Sequence, residues 1–315
     1  MEKPSFDPGL TQQYSGALRR TINNEDGSFN VLRRGGSWRD VHPYLHLINM
    51  SLSRFLGVVF LAYMAVNTIF AVLYFLLGPA QLQGTAAPSE WGRFVKSFYF
   101  SAHTLTTVGY GNISPVGDAA NLLAIVEALS GLLGFAIATG LLFGRFSRPS
   151  ARIGFSERML AAPYQDRLSL QFRIVNLRSN VLTDLSASVL FMTVEGPPGS
   201  RVRKFKQLAL EREQVYFMPM TWTVVHPIDE ASPLWGMTAE DLERTQSEVL
   251  IVIKGFDDTF SQVVNARRSY RHDEIEWGAK FNPAFHIDEV GEIVLNVDQV
   301  SSFTPLGASA RAIAD

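Results

Sequence analysis

The 315-residue chain predicts a two-span helical membrane unit followed by an all-β sandwich. Two stretches, residues 53–77 and 119–146, are almost free of charge and long enough to cross a bilayer. Between them lies a shorter aromatic, amphipathic stretch, 91–106, that is too short to span. After Pro149 the apolar period changes to two: Leu168, Leu170, Phe172 and Ile174 alternate with polar residues, as do Leu185, Ala187, Val189 and Phe191. The hydrophobic share of 47% is ordinary for a globular protein, so what points to a membrane is its uneven distribution. With a formal charge of −2 there is no global basic field to hold nucleic acid. The absence of cysteine excludes disulfides, zinc-thiolate sites and thiol catalysis.

Residues 1–35 are polar and carry no sustained period, which predicts a flexible tail. They contain no apolar core of a cleaved signal, so the first span is expected to direct membrane insertion. Trp38, Val41, Leu45 and Ile48 form one apolar stripe at helical spacing, predicting a short interfacial helix over 36–49, with Pro43 setting a bend or a start. The pore-forming part is expected over 50–149, with an outer helix at 53–77. That helix, at about 1.5 Å per residue, covers the roughly 30 Å hydrocarbon layer with some tilt. Gly78-Pro79 ends it, and a Gln-, Gly-, Pro- and Ser-rich loop leads to the 91–106 helix. A re-entrant pore helix suits that length, because non-spanning backbone survives at membrane depth only when protein surrounds it. The inner helix is predicted at 119–146, interrupted by Asn121 and Glu127. Arginines before the first span and after the second place both termini on the cytoplasmic side. The β domain is expected over 150–300, with a C-terminal tail at 301–315.

Thr107, Val108, Gly109, Tyr110 and Gly111 follow the short helix. This is the pattern of a potassium selectivity filter, in which backbone carbonyls around a four-fold axis replace the water shell of the ion. Glycines reach backbone angles that let successive carbonyls face one axis. K⁺ is expected at Thr107, Val108, Gly109 and Tyr110, with no other cofactor. One such strand supplies a quarter of each oxygen cage, so a homotetramer follows.

The chain resembles the inward-rectifier potassium channels, in particular their short prokaryotic, KirBac-type branch. The resemblance extends over roughly residues 38–300. It rests on the filter, on Gly144-Arg145-Phe146-Ser147-Arg148-Pro149, and on the run from Val225 through His226-Pro227-Ile228-Asp229-Glu230 to Leu234. Asn265-Ala266-Arg267-Arg268-Ser269-Tyr270 and Asp273-Glu274-Ile275-Glu276-Trp277-Gly278 extend it. It implies a bacterial inner-membrane channel with an immunoglobulin-like cytoplasmic sandwich.

Phe135, Thr139, Phe143 and Phe146 share one face of the inner helix and are candidate pore-lining residues. The resemblance favours Phe146 as the constriction, with Phe143 as a second candidate. Gly131, Gly134 and Gly140 permit either bending or close helix contact. Strong rectifiers of the family carry an acid where Phe135 stands, which implies weak polyamine block; Mg²⁺ and Ba²⁺ are further candidate blockers. Glu127 is expected behind the filter, since an intramembrane carboxylate is costly unless paired or functional. His103 stands where many relatives have a carboxylate, and Ile113 where they have its basic partner, so that ion pair is missing. A neutral His103 behind the filter and an external pH sensor are both open. Arg54, Arg145, Arg148 and Arg152 are candidate contacts for anionic lipid headgroups. His226, Asp229 and Glu230 read as structural rather than metal-binding. No nucleotide loop or nucleophile elbow is present, and an enzyme is not expected. The rival is a membrane-anchored sensor module whose pore does not conduct.

Overall fold

A computed structural model describes residues 8–14, 16, 20–32, 34–35, 42–147 and 152–306. The chain forms two compact units, Arg34–Arg148 and a second built from the segments on either side of it.

In the first unit, α1 (Pro43–Asn49) starts at the proline, whose missing N–H costs nothing at a helix start. It is the described part of the interfacial helix; Trp38 and Val41 of the predicted stripe lie outside the described residues. α2 (Leu52–Leu77) is one unbroken apolar helix that stops at Gly78, one residue before Pro79. The short strand β1 (Leu82–Gln83) pairs with β2 (Ser114–Pro115). Between them runs α3 (Glu90–Leu105), whose Ser89 cap accepts from the Gly92 amide at 3.1 Å. α4 (Asp118–Phe146) completes the unit. At 26 and 29 residues, α2 and α4 extend about 39 and 44 Å, and both are long and apolar enough to cross a membrane. Phe70, Tyr74, Leu82, Phe100, Ile113 and Ala120 form the shared core, with Tyr74 edge-on to Phe100 at 4.9 Å.

The second unit is a two-sheet sandwich. Its strands are β3 (Ile153–Phe155), β4 (Met159–Tyr164), β5 (Arg167–Asn176), β6 (Leu182–Glu195), β7 (Val202–Gln207), β8 (Gln214–Phe217) and β9 (Thr221–Pro227). After a short α5 (Ala239–Arg244) come β10 (Glu248–Asp257), β11 (Gln262–Arg271) and β12 (Ile275–Trp277). One sheet runs β11-β10-β6-β7, with β8 also on β6; the other runs β12-β4-β5-β3, with β9 on β5. Phe172, Ile174, Leu185, Val189, Phe191, Val249, Ile251 and Tyr270 fill the space between them. The alternation seen in the sequence over 168–174 and 185–191 is this inward face. β13 (Ala279–Phe281) and β16 (Phe303–Pro305) pair on the outer side of the second sheet, beside a hairpin of β14 (Phe285–Ile287) and β15 (Ile293–Leu295).

His226 is buried at the end of β9. Its Nδ1 lies 2.6 Å from the Ala209 carbonyl and its Nε2 2.8 Å from Ser232 Oγ, which in turn accepts from the Leu234 amide at 3.1 Å. A neutral ring donating at Nδ1 and accepting at Nε2 satisfies all three groups. Burial outweighs the nearby carbonyl and Asp229, and holds the imidazole pKa below its ordinary 6.5. Asp229 and Glu230 are surface residues, and among the described residues no three metal-ligating side chains gather.

Two expectations fail in this unit. The polar segment before residue 35 is not a free tail along its described length. Ile22 is 1% exposed and packs with Met192, Val194, Phe205 and Leu250 on the outer face of the β6–β10 sheet. Thr21 gives its amide (2.9 Å) and hydroxyl (2.7 Å) to buried Glu248, and Arg20 pairs with Glu274 at 2.6 Å. Asn24 and Ser269 exchange two hydrogen bonds of 2.9 Å. The segment thus covers an apolar sheet face that would otherwise meet water. At the other end, Val300 is buried and β16 pairs with β13, so ordered structure runs past residue 301. Residues 307–315 lie outside the described residues.

Candidate functional site: the segment between the two spans

Thr107, Gly109 and Gly111 have φ of 60°, 57° and 79°, while Val108 and Tyr110 between them are not in the positive region. Alternating signs of φ keep this strand out of both the helical and the sheet conformations, in which backbone groups pair along the chain or across strands. The amides of Val108 and Gly109 point back to the His103 carbonyl, at 2.9 and 3.3 Å, and that of Thr107 to the Thr104 carbonyl at 3.0 Å. The start of the strand is therefore anchored by three N–H groups to the last turn of α3. Among the described residues, and apart from their chain neighbours, Gly109 and Gly111 have no heavy atom within 4 Å of where a side chain would begin, so what demands glycine is the positive φ. Thr107 is the exception, a β-branched residue held at φ 60°.

The support behind this strand comes from three helices. Glu127 of α4 is 0% exposed, and its two carboxylate oxygens accept from Tyr74 Oη at 2.7 Å and Ser101 Oγ at 2.5 Å. Ser101 also lies 3.2 Å from both the backbone oxygen and Oδ1 of Asn67, itself fully buried. Outer helix, pore helix and inner helix thus meet on one carboxylate. Gly131, one turn further along α4, lets the inner helix touch the end of α3: a side chain there would begin 2.1 Å from the Leu105 carbonyl oxygen. Close contact is the role of that glycine, whereas a side chain begun at Gly134 or Gly140 would meet no other atom within 4 Å among the described residues. The His103 ring stands edge-on to Tyr110 at 4.9 Å. Ile113 is buried in the core of the unit, which is why an apolar residue suits that position.

Further along α4, Phe135, Thr139, Phe143 and Phe146 are all exposed on the single chain, Phe146 at 62%. At about 100° per residue they fall within one third of the helix circumference, adjacent to the sector of Ala120, Glu127 and Gly131 that packs on the chain's own pore helix. Arg145 donates to the Ile48 carbonyl at 3.1 Å and lies over the Phe55 ring, fastening α1 to α4. Arg54 is exposed in the same unit, Arg152 is exposed in the other, and Arg148 lies outside the described residues. Sequence reasoning named Glu127 and His103 but not Tyr74 or Ser101. The signal for that pair was slight, a tyrosine and a serine among many aromatic and small residues. Asn67 was visible as a polar interruption of the first span.

Comparison with known proteins decides the family. A profile described as the inward rectifier potassium channel C-terminal domain matches residues 153–312, and one described as ion channel matches 58–148. The inward rectifier potassium channel Kirbac3.1 of Paramagnetospirillum magnetotacticum is 36% identical over 85% of this chain and 90% of its own length. The chain belongs to the inward-rectifier potassium channel family. It falls in the prokaryotic, KirBac-type branch, and its relatives are ion channels rather than enzymes. The human G protein-activated inward rectifier potassium channel 3 is 26% identical over 91% of this chain and 79% of its own. A solved sporulation control protein from Bacillus subtilis aligns over 44% of the chain at a TM-score of 0.23 and 9% identity, too little to carry any argument.

Proposed function

We propose that four copies of this inward rectifier surround one axis and conduct K⁺ passively through the strand at residues 107–111. The alternating φ signs of that strand, with its amides tied back to His103, are the observation that carries this reading. Carbonyls of Thr107, Val108, Gly109 and Tyr110 replace the hydration shell of K⁺, and ions leave by mutual repulsion between adjacent sites. Glu127, Tyr74, Ser101 and His103 brace the strand from behind. Below it, the stripe of Phe135, Thr139, Phe143 and Phe146 lines the pore. Four Phe146 rings close it by excluding water, with Phe143 as a second ring. Phe135 offers no charge to a polyamine or to Mg²⁺, so block at that level is weak. Ba²⁺, similar in size to K⁺, blocks at the filter.

The arginine-rich flanks of both spans support a bacterial inner-membrane location with both termini in the cytoplasm. Arg54, Arg148 and Arg152 carry the guanidinium forks for anionic headgroups. Arg145 joins them only in part, since its guanidinium already holds Ile48. Gating then follows cytoplasmic-domain and lipid signals acting on the inner helices. The Gly109→Asp variant tests this against the non-conducting sensor: it is expected to assemble normally and to lose all Rb⁺ flux in liposomes. Flux retained in that variant would refute the assignment of the filter.

A further inference from the structure

The sandwich unit holds a polar cavity of about 280 Å³, lined by Arg20, Glu243, Gln246, Glu248, Arg271 and His272. Three parts of the chain meet there. Arg20 comes from the N-terminal segment, Glu243 to Glu248 from the end of α5 and the start of β10, and Arg271 and His272 from the turn that follows β11. The volume equals that of about nine waters, at roughly 30 Å³ each in the liquid. It falls just below the roughly 300–1,000 Å³ of pockets for drug-sized molecules, so it suits a small solute.

Two of the charges are already held by the chain. Arg20 pairs with Glu274 at 2.6 Å and donates to the Ser269 carbonyl at 2.9 Å. The Glu248 carboxylate accepts the Thr21 amide at 2.9 Å and the Thr21 hydroxyl at 2.7 Å. The remaining groups are open. Among the described residues, the Glu243 carboxylate and the His272 ring have no partner. Arg271 ion-pairs only with Asp273, Nε to Oδ1 at 3.7 Å, which leaves its two terminal nitrogens free. Gln246 accepts from Tyr14 Oη at 2.8 Å through Oε1 and keeps its NH₂. Its φ of 48° is costly for a residue with a side chain, and such strain clusters at ligand sites.

We infer that this cavity binds a small zwitterion, an α-amino acid with an uncharged side chain, its carboxylate on the Arg271 fork and its ammonium on Glu243. Arginine grips a carboxylate with two parallel N–H bonds, and charge-assisted bonds are about twice as strong as neutral ones. Two arginines and two glutamates balance, so a simple anion or cation would lie against a like charge, whereas a neutral molecule with separated charges answers both. Arg20 forms one wall and Thr21 holds Glu248. Filling the cavity and docking the N-terminal segment therefore favour each other, by the same factor in each direction. No residue of the spans takes part, so the inference stands whether or not the strand at 107–111 conducts.

Equilibrium dialysis of the purified full chain against radiolabelled L-glutamine and L-serine tests this. Saturable binding of at least one is expected, weakened roughly tenfold or more in Glu243→Gln and in Arg271→Gln. On the unaltered protein, the N-acetyl and amide forms of the same amino acids, which lack the ammonium and the carboxylate respectively, should compete as poorly. Hydrogen exchange of the Thr21 amide should slow about five- to 150-fold in saturating ligand, the usual range for coupled sites. No saturable binding of either amino acid, or equal competition by the blocked forms, would overturn the site. Binding that leaves Thr21 exchange unchanged would overturn its link to the N-terminal segment.

Discussion

Removing the Tyr74 hydroxyl tests whether one buried carboxylate braces the strand between the spans. Tyr74→Phe deletes one of the two donors to Glu127 while keeping the ring that packs on Phe100. Ordinary hydrogen bonds between membrane helices average about 0.6 kcal/mol, because the loosened state finds other partners. A bond to a carboxylate oxygen in a site from which water is excluded is worth more, about 1.5–3 kcal/mol. At about 1.4 kcal/mol per decade, that is a roughly ten- to hundredfold shift in the equilibrium between folded and loosened protein. The assay is a double-mutant cycle of Tyr74→Phe with Glu127→Gln, read by denaturant titration of the solubilised protein. The same four proteins are reconstituted for Rb⁺ and Na⁺ uptake. A coupling above about 1 kcal/mol is expected, since residues sharing one bond are non-additive. Na⁺ uptake should rise relative to Rb⁺ as the strand loses its brace. Effects that add to within about 0.5 kcal/mol, with unchanged ion selectivity, would refute the reasoning.

Two further outcomes follow from the cytoplasmic unit. His226 has a folded pKa below its unfolded value near 6.5, so the unfolded chain binds the extra proton as the pH falls through that range. Its contribution to stability is complete above about pH 6.5 and is lost toward the lower, folded pKa; tryptophan fluorescence of thermal unfolding should show the midpoint falling with pH there, with a shallower slope in His226→Gln. Ile22→Ala removes the best-buried anchor of the N-terminal segment and should weaken its docking by about 2–4 kcal/mol. Faster hydrogen exchange at the Thr21 and Asn30 amides would register this, whereas unchanged protection would mean the segment is held by its polar contacts alone.

The spans were legible in the sequence because hydrocarbon tolerates so little: a run such as Leu52–Leu77 admits few polar residues, and Asn67, Thr68 and Tyr74 within it each have a hydrogen-bond partner in the structure. The 107–111 strand was legible for a similar reason, since its glycines sit where φ is positive. Strands β5 and β6 declared themselves by alternation because one face of each fills the core. The docking of the N-terminal segment was not legible. It depends on single residues, Thr21, Ile22 and Asn24, meeting partners more than 200 positions away at Glu248 and Ser269, and no local period marks such contacts. The Tyr74–Glu127–Ser101 cluster was half legible. A carboxylate inside a span announces a need for partners, but which hydroxyls supply them depends on how three helices pack.

The central claim is that this chain forms a K⁺-selective pore. ⁸⁶Rb⁺ uptake into K⁺-loaded liposomes containing the purified protein, measured beside ²²Na⁺ uptake and with Ba²⁺ added, tests it most directly. Barium-sensitive Rb⁺ uptake with little Na⁺ uptake is the predicted result. Equal uptake of the two ions would contradict the account.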